Sequence, residues 1–228
     1  MGFLPSKEHM SLQAILFDLD GLLVDSEPAW YRARTELARS YNAVWTQEDH
    51  IAQAGVHTQV WVENVRKCLG NVLTASAVQE EIVSRMEAYY LAGEVDLMPG
   101  ANEALQTCSL SYRVALASGS PIRLISAAIT GAGWSSVFEE VISSDHVPRG
   151  KPAPDVYVEV LRRLGVPPKD SCVVEDSGAG IKAGISAGSI VVAVPAEATH
   201  PGEKVLAQAD HVIPTLHDLA LILESINT

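Results

Sequence analysis

Four short apolar runs constrain the fold of this 228-residue chain more than any other feature. Each run has the length of one buried strand and ends abruptly in polar residues. The runs begin at Ala14, Val114, Cys172 and Ile190, and a weaker run occupies residues 141–142. Strands that are almost entirely apolar are typical of a parallel sheet that helices cover on both faces.

The segments that separate the later runs have helical patterns. Thr215 and Asp218 have the spacing of a capping box ahead of the last of them. Helices are predicted after Ser120-Pro121, from Pro154 to Gly165, from Gly180 to Gly188 and over residues 219–226. Because strands alternate with helices, we predict an α/β fold with a doubly wound parallel sheet.

One long interval lacks a buried strand. Between Ser26 and Leu97 only helical patterns occur, around residues 30–38, 60–69 and 78–91. Such an interval indicates a helical domain inserted after the first strand. We therefore predict an α/β core domain of residues 1–25 and 97–228 and an inserted helical cap domain of residues 26–96.

Composition and charge exclude several classes of function. The formal net charge of -12 repels nucleic acid and anionic lipid, so neither is expected as a partner. No apolar run approaches membrane-spanning length, and residues 1–11 contain no signal-peptide hydrophobic stretch. The three cysteines are widely spaced, which argues against a disulfide framework or a thiolate zinc site. We expect a cytoplasmic monomer.

Polar side chains collect where the predicted strands end. In an open parallel sheet, ligands bind beyond these carboxyl ends. The groups concerned are Asp18, Asp20, Ser118, Gly119, Glu175 and Asp176, and Lys151 lies in a loop. Two carboxylates about 4 Å apart repel by roughly 4 kcal/mol at an effective dielectric constant near 20, so a cation is needed. All-oxygen ligands favour Mg²⁺, and Lys151 and Ser118 supply donors for a phosphoryl group.

Four segments resemble the motifs of the haloacid dehalogenase-like (HAD) superfamily. They occur in the family's order and span most of the chain. They are residues 18–26 (DLDGLLVDS), 117–120 (ASGS), 150–155 (GKPAPD) and 174–181 (VEDSGAGI). The resemblance is to the subfamily with a helical cap after the first motif, which includes β-phosphoglucomutase and 2-deoxyglucose-6-phosphate phosphatase.

The resemblance implies a role for each of these residues. Asp18 would be the nucleophile that forms a phosphoaspartate, and Asp20 would protonate the leaving alcohol and then deprotonate water. The phosphoryl oxygens would be held by Ser118, the Gly119 N–H and Lys151. The Mg²⁺ ion would be bound by Asp18, the Asp20 carbonyl, Asp176 and Glu175, the last directly or through water.

The presence of Asp20 indicates phosphate-ester chemistry, because dehalogenases and phosphonate-cleaving relatives lack a second aspartate there. The expected substrate is a small phosphorylated metabolite, namely a sugar or polyol monophosphate. The alternative is a sugar phosphomutase, which usually carries a cap arginine shortly after a glycine. Residues 53–59 (QAGVHTQ) contain no arginine or lysine, and the next one is Arg66, which favours the phosphatase.

Four cap residues are candidates for substrate selection: Glu27, Trp30, His57 and Trp61. An aromatic face suits one side of a sugar ring. The alternative is that Trp30 and Trp61 form the core of the cap.

Two other segments match the patterns of a dinucleotide-binding protein and of a serine hydrolase, but their context argues against both functions. Residues 178–183 (GAGIKA) fit a dinucleotide-binding pattern with Glu197 as ribose-binding acid, but Glu175 and Asp176 would lie where a pyrophosphate docks. Residues 184–188 (GISAG) match a serine-hydrolase pattern but fall late in a predicted helix.

Two further alternatives are a zinc site and a function without catalysis. His50 and His57 could share a helix face, although a zinc site there is disfavoured. A non-enzymatic binding module that kept the fold would be expected to lose some of the acidic residues or the lysine, and none of them is missing.

Overall fold

The computed structural model describes residues 12–53, 58–196 and 200–227. The chain divides into two compact units. The sheet unit comprises the residues up to Leu23, Met98–Pro121 and the residues from Ser136 onward; the helical unit comprises Val24–Leu97 and Ile122–Ser135. The predicted division into a core domain of residues 1–25 and 97–228 and a cap domain of residues 26–96 stays a prediction.

Six parallel strands form the sheet in the part of the chain that the structure describes. They are β1 (Ala14–Phe17), β2 (Arg113–Ser118), β3 (Glu140–Ser143), β4 (Ser171–Glu175), β5 (Ile190–Ala193) and β6 (His211–Val212). Their order is β3-β2-β1-β4-β5-β6, and each pair is parallel. The predicted α/β fold with a doubly wound parallel sheet is confirmed.

The described residues also form ten α-helices. They are α1 (Glu27–Ser40), α2 (Gln47–Ile51), α3 (Thr58–Cys68), α4 (Ala75–Leu91), α5 (Ala101–Ser111), α6 (Ile122–Gly131), α7 (Asp155–Leu164), α8 (Gly178–Ala187), α9 (Glu203–Leu206) and α10 (Leu219–Ile226). Helices α1 to α4 and α6 belong to the helical unit. No helix among the described residues is long and apolar enough to cross a bilayer.

The register of the central strand sets the position of the site. Phe17, the last residue of β1, is paired with Leu116 of β2 and with Val174 of β4. Strands β2 and β4 therefore end no more than two residues beyond the positions that pair with Phe17. Parallel strands run in one direction, so the side chains that follow these ends meet at one edge of the sheet.

Apolar packing against the sheet holds these strand ends in place. Helix α7 buries one stripe, as its periodicity predicted, and packs against β2 and β3. The stripe consists of Val156, Tyr157, Val160, Leu161 and Leu164. Gly165 ends the helix at a φ of +65°, in the left-handed region that glycine adopts without steric cost.

Two details differ from the sequence predictions. Thr215 caps a short 3₁₀ turn, Leu216–Asp218, rather than α10 itself, because its hydroxyl accepts the N–H of His217. Strand β6 was not predicted, because two residues are too few to give an apolar run.

Candidate active site

Lys151 lies at the centre of the polar groups that follow the strand ends. Its ammonium donates to Asp18 Oδ1 at 2.5 Å and to Glu175 Oε1 at 2.6 Å. A third bond, 2.9 Å long, goes to the carbonyl oxygen of Ala117 in β2. The loop before α7 thus brings one cation to residues from three neighbouring strands.

Three buried carboxylates surround this ammonium. Asp18, Glu175 and Asp176 each place an oxygen within 4.8 Å of the others. Their exposed fractions are 7%, 0% and 1%, so water screens their charges poorly. Three negative charges against one positive charge leave the cluster with an excess of negative charge.

The charge excess is reflected in the pKa of the nucleophile candidate. Burial raises the pKa of Asp18 well above its usual range, and the nearby carboxylates of Glu175 and Asp176 raise it further, while Lys151 opposes them. Burial acts to lower the pKa of Lys151, but Asp18 and Glu175 outweigh it and hold that pKa well above its usual range. A cluster of oxygen ligands with unbalanced negative charge fits a divalent cation.

Asp20 lies beside the loop that follows β2. Its Oδ2 accepts a hydrogen bond of 2.7 Å from the Ser120 hydroxyl and a longer one, 3.4 Å, from the Ser118 hydroxyl. Gly119 lies between these two serines, and its carbonyl oxygen accepts from Ser144 Oγ at 2.7 Å. The structure thus brings the predicted acid–base residue next to the predicted phosphate-binding loop.

Two glycines allow backbone to approach the acidic cluster. A Cβ on Gly21, whose φ is +80°, would lie 2.4 Å from Asp176 Oδ2. A Cβ on Gly180, in the first turn of α8, would lie 1.7 Å from Glu175 Oε1. Close approach of the Glu175 side chain therefore accounts for the second glycine of the dinucleotide-like pattern.

Sequence reasoning missed Tyr157 as a site residue and treated it only as part of the apolar stripe of α7. Its hydroxyl donates to Glu175 Oε1 at 2.8 Å, and Lys151 Nζ lies 4.9 Å from the centre of its ring. Burial, followed by the charge of Glu175, raises the pKa of Tyr157 well above its usual range. The helical spacing gave no signal for this contact.

A family model described as haloacid dehalogenase-like hydrolase matches residues 12–188. The chain belongs to this family. The match covers more than half of the chain and includes all four motifs identified above.

Two curated relatives of this HAD-like hydrolase are phosphatases by name. Hexitol phosphatase B of Escherichia coli is 32% identical over 199 residues, which cover 85% of this chain and 89% of the relative. A phosphorylated carbohydrates phosphatase of Thermotoga maritima is 29% identical over 178 residues, which cover 78% of this chain and 82% of the relative. The family and these names together support a phosphatase hydrolase.

A solved structure from Thermotoga maritima, provisionally named β-phosphoglucomutase, is similar along its whole length. Its TM-score is 0.80 at 27% identity, and the alignment covers 94% of this chain and 99% of the other. The HAD-like fold is therefore shared over both compact units.

Three of the four cap candidates, Glu27, Trp30 and Trp61, belong to one cluster inside the helical unit of this HAD-like hydrolase. The rings of Trp30 and Trp61 meet edge to face with centroids 5.9 Å apart. The buried guanidinium of Arg34 lies 5.2 Å and 5.4 Å from these two rings and contacts His50 Nδ1 at 3.0 Å. Trp61 is 8% exposed, so it contributes to the core of this cluster. Sequence reasoning did not select Arg34.

Of the remaining histidine and acid candidates, the structure describes His50 and Glu27, which contact each other. His50 Nε2 lies 3.0 Å from Glu27 Oε2, and this hydrogen bond lowers the pKa of Glu27. Among the described residues, no zinc-type cluster includes His50, and the grouped metal ligands are the three acids above. His57 and Glu197 lie outside the described residues. The serine-hydrolase-like segment falls within α8 and at its end, as expected.

Proposed function

We propose that this protein is a Mg²⁺-dependent phosphatase that hydrolyses a sugar or polyol monophosphate through a phosphoaspartate at Asp18. The observation that carries the proposal is the buried group of three carboxylates around Lys151 at the end of the central strand. The phosphatase names of two relatives point the same way.

Asp18 and Asp20 divide the bond-making steps between them. A carboxylate oxygen of Asp18 attacks phosphorus, the bond from phosphorus to the leaving oxygen breaks, and Asp20 gives that oxygen its proton. Water then attacks phosphorus, Asp20 takes the proton of that water, and the Asp18 carboxylate is released with inorganic phosphate. Acid–base assistance of this kind is typically worth about 10²–10⁴-fold in rate.

The phosphoryl group is held by donors at the same edge of the sheet. The proposed donors are the Ser118 hydroxyl, the Gly119 N–H and the Lys151 ammonium. Lys151 already lies within hydrogen-bonding distance of Asp18, so a phosphoryl group attached to Asp18 would remain beside a positive charge. Fixed donors in a site that excludes water stabilise charge without having to reorganise during the reaction.

The metal ligands proposed are Asp18, the Asp20 carbonyl, Asp176 and Glu175. When bound, Mg²⁺ would supply positive charge that screens the phosphoryl oxygens and offsets the excess negative charge of the cluster. Glu175 has little freedom to move, because its Oε2 also accepts from the N–H and the hydroxyl of Ser177. Its role is to hold the cluster in shape, either as a direct ligand or through water.

Substrate selection is assigned to the helical unit, through Glu27, Trp30, His57 and Trp61. Trp30 is half-buried while Trp61 is buried, so Trp30 has the more accessible ring of the two. If Trp61→Ala hydrolysed the same substrates in the same order as the parent, Trp61 would belong to the cap core alone.

A turnover screen tests the proposed reaction and separates it from the mutase alternative. Phosphate release is measured from 2-deoxyglucose-6-phosphate, a hexitol 6-phosphate and β-glucose-1-phosphate, each with Mg²⁺ and with a chelator. We expect Mg²⁺-dependent release from at least one monophosphate. Conversion of β-glucose-1-phosphate to glucose-6-phosphate without net phosphate release would instead establish the mutase.

A further inference from the structure

Ser120 belongs to the second motif, but none of the roles given above uses its side chain. Its hydroxyl donates to Asp20 Oδ2 at 2.7 Å, a normal length for a strong hydrogen bond between two oxygens. The Ser118 hydroxyl approaches the same oxygen only to 3.4 Å. Of these two hydroxyls, Ser120 therefore makes the closer contact to the proposed acid–base residue.

We propose that Ser120 is the positioning residue for Asp20 and that it holds the carboxyl group in the orientation needed for proton transfer. The inference rests on the proposed function, because it assumes that Asp20 protonates a leaving alcohol. It goes further by assigning a task to a side chain that contacts Asp20 and that the proposed function does not use.

The backbone around Ser120 is held by hydroxyls from the end of β3. Ser143 Oγ donates to the Ser120 carbonyl oxygen at 2.6 Å, and Ser144 Oγ donates to the Gly119 carbonyl oxygen at 2.7 Å. Ser143 is fully buried, and its hydroxyl also accepts the N–H of Asp145 at 3.0 Å. A loop anchored at two consecutive carbonyls can direct a short side chain at a fixed target.

The two serines of the loop have separate tasks. Ser118 Oγ accepts the N–H of Ser120 at 3.0 Å and donates to Asp20 Oδ2 at 3.4 Å, a length at which a bond between two oxygens is weak. Exchanging this weak bond for one to a phosphoryl oxygen would cost little. Of the two serine hydroxyls, that of Ser120 makes the shorter bond to Asp20.

A hydroxyl suits this position because it is both donor and acceptor. It can donate to a carboxylate and accept from a carboxylic acid, so the contact to Asp20 survives transfer of the proton in either direction. An ammonium or an amide N–H can only donate, so it could not accept a hydrogen bond from the O–H of the protonated acid. A hydroxyl thus keeps Asp20 oriented in both halves of the proposed reaction.

The test compares two leaving groups in the Ser120→Ala variant. An alkyl phosphate needs its leaving oxygen protonated, whereas p-nitrophenyl phosphate releases an anion that is stable without a proton. We expect Ser120→Ala to lower kcat/KM for the alkyl phosphate that the parent cleaves fastest by about tenfold or more, since acid–base assistance is worth at least about 10²-fold. The kcat/KM for p-nitrophenyl phosphate should change by less than about threefold, because kcat/KM reports the steps up to departure of the leaving group and not the later attack of water, which is common to both substrates.

Two further variants separate positioning from general damage to the loop. Ser120→Thr keeps the hydroxyl and should restore the ratio of the two kcat/KM values. Ser144→Ala removes an anchor of the loop that makes no bond to Asp20, so it should affect both substrates by the same factor. Equal losses on both substrates in Ser120→Ala, or equal ratios in the Ala and Thr variants, would overturn the positioning role.

The experiment also distinguishes this inference from the proposed function. If the parent protein cleaves neither substrate with Mg²⁺, the proposed function and the role of Ser120 both fail. If the parent cleaves both and Ser120→Ala keeps the parental ratio, only the role of Ser120 fails. Thermal unfolding of each variant shows that a loss of activity is not a loss of fold.

Discussion

Lys151 is the central residue of the candidate site. A single ammonium contacts two buried carboxylates, and the third, Asp176, is close to both. Because burial and its acidic neighbours raise the pKa of Asp18, the ionised form of Asp18 is costly in the folded protein. A bound cation would relieve that cost, and the Lys151 ammonium supplies positive charge for an incoming phosphoryl group.

For single residues, the first prediction concerns Asp18→Asn, which replaces the proposed nucleophile. Turnover of phosphate esters should fall by at least about 10³-fold, in line with the loss of a nucleophile in other enzymes. The melting temperature should not fall, since the neutral amide removes one charge from a crowded cluster. The measurements are steady-state phosphate release and thermal unfolding.

Glu103→Gln is the matched control for Asp18→Asn. Glu103 lies exposed on α5, outside the acidic cluster, and the same change of carboxylate to amide should leave turnover unchanged. Phosphate release by Asp18→Asn at a rate near that of the parent would show that Asp18 is not the nucleophile.

Helix α8 illustrates how an element is shaped by the site next to it. Its N-terminus is capped by Ser177, whose hydroxyl accepts the N–H of Gly180 at 3.1 Å and donates to Glu175 Oε2. Gly180 then passes directly over Glu175, where no side chain would fit. The small residues of this helix are explained by its approach to β4 and to the acidic cluster.

At the element scale we predict a larger loss of stability at one glycine of α8 than at another. Gly180→Ala should lower the free energy of unfolding by about 1–3 kcal/mol, because the added Cβ overlaps Glu175 and forces a local shift. Gly178→Ala should stay within about 1 kcal/mol of the parent, since its Cβ would meet only Pro201 at 3.3 Å and Val205 at 3.4 Å. Urea unfolding measures both.

Equal stability losses in the two variants would contradict the interpretation that Gly180 is required by its contact with Glu175. In that case helix propensity, and not the contact with Glu175, would explain the glycines. A loss of Mg²⁺-dependent activity in Gly180→Ala alone would add support, because Glu175 is a proposed metal ligand.

For the whole molecule, a bound cation should add stability that the acidic cluster alone does not provide. A ligand that binds only the folded state stabilises it by about 2.7 kcal/mol when its free concentration is 100 times its Kd. We therefore expect Mg²⁺ to raise the melting temperature of the parent and to have little effect on Asp176→Asn. Differential scanning calorimetry with Mg²⁺ and with a chelator checks this.

Two controls make the calorimetric result specific. NaCl at matched ionic strength accounts for screening of the net charge of -12. Glu103→Gln should keep the full effect of Mg²⁺, as its carboxylate lies outside the cluster. A parent melting temperature that is independent of Mg²⁺ would count against the metal site.

Cytoplasmic location and a monomeric state stay predictions.

Much of the fold could be predicted because its signals are local. The apolar runs at Ala14, Val114, Cys172 and Ile190 are strands, and the stripe and terminal glycine of α7 lie where the periodicity put them. The run of two residues at β6 and the five-residue α2 were too short to give a periodic signal. The approach of Asp18 to Glu175 and Asp176 follows from strand direction, which the apolar runs already imply.

By itself, the sequence determined the parallel sheet and the acidic strand ends, because these depend on residue type and order. Only the tertiary structure decided that Lys151 contacts Asp18 and Glu175, and which neutral groups support them. Tyr157 reaches Glu175, and Ser143 and Ser144 hold the loop that directs Ser120 at Asp20. These contacts join segments that are distant in the chain, and no local pattern specifies a partner that only packing brings near.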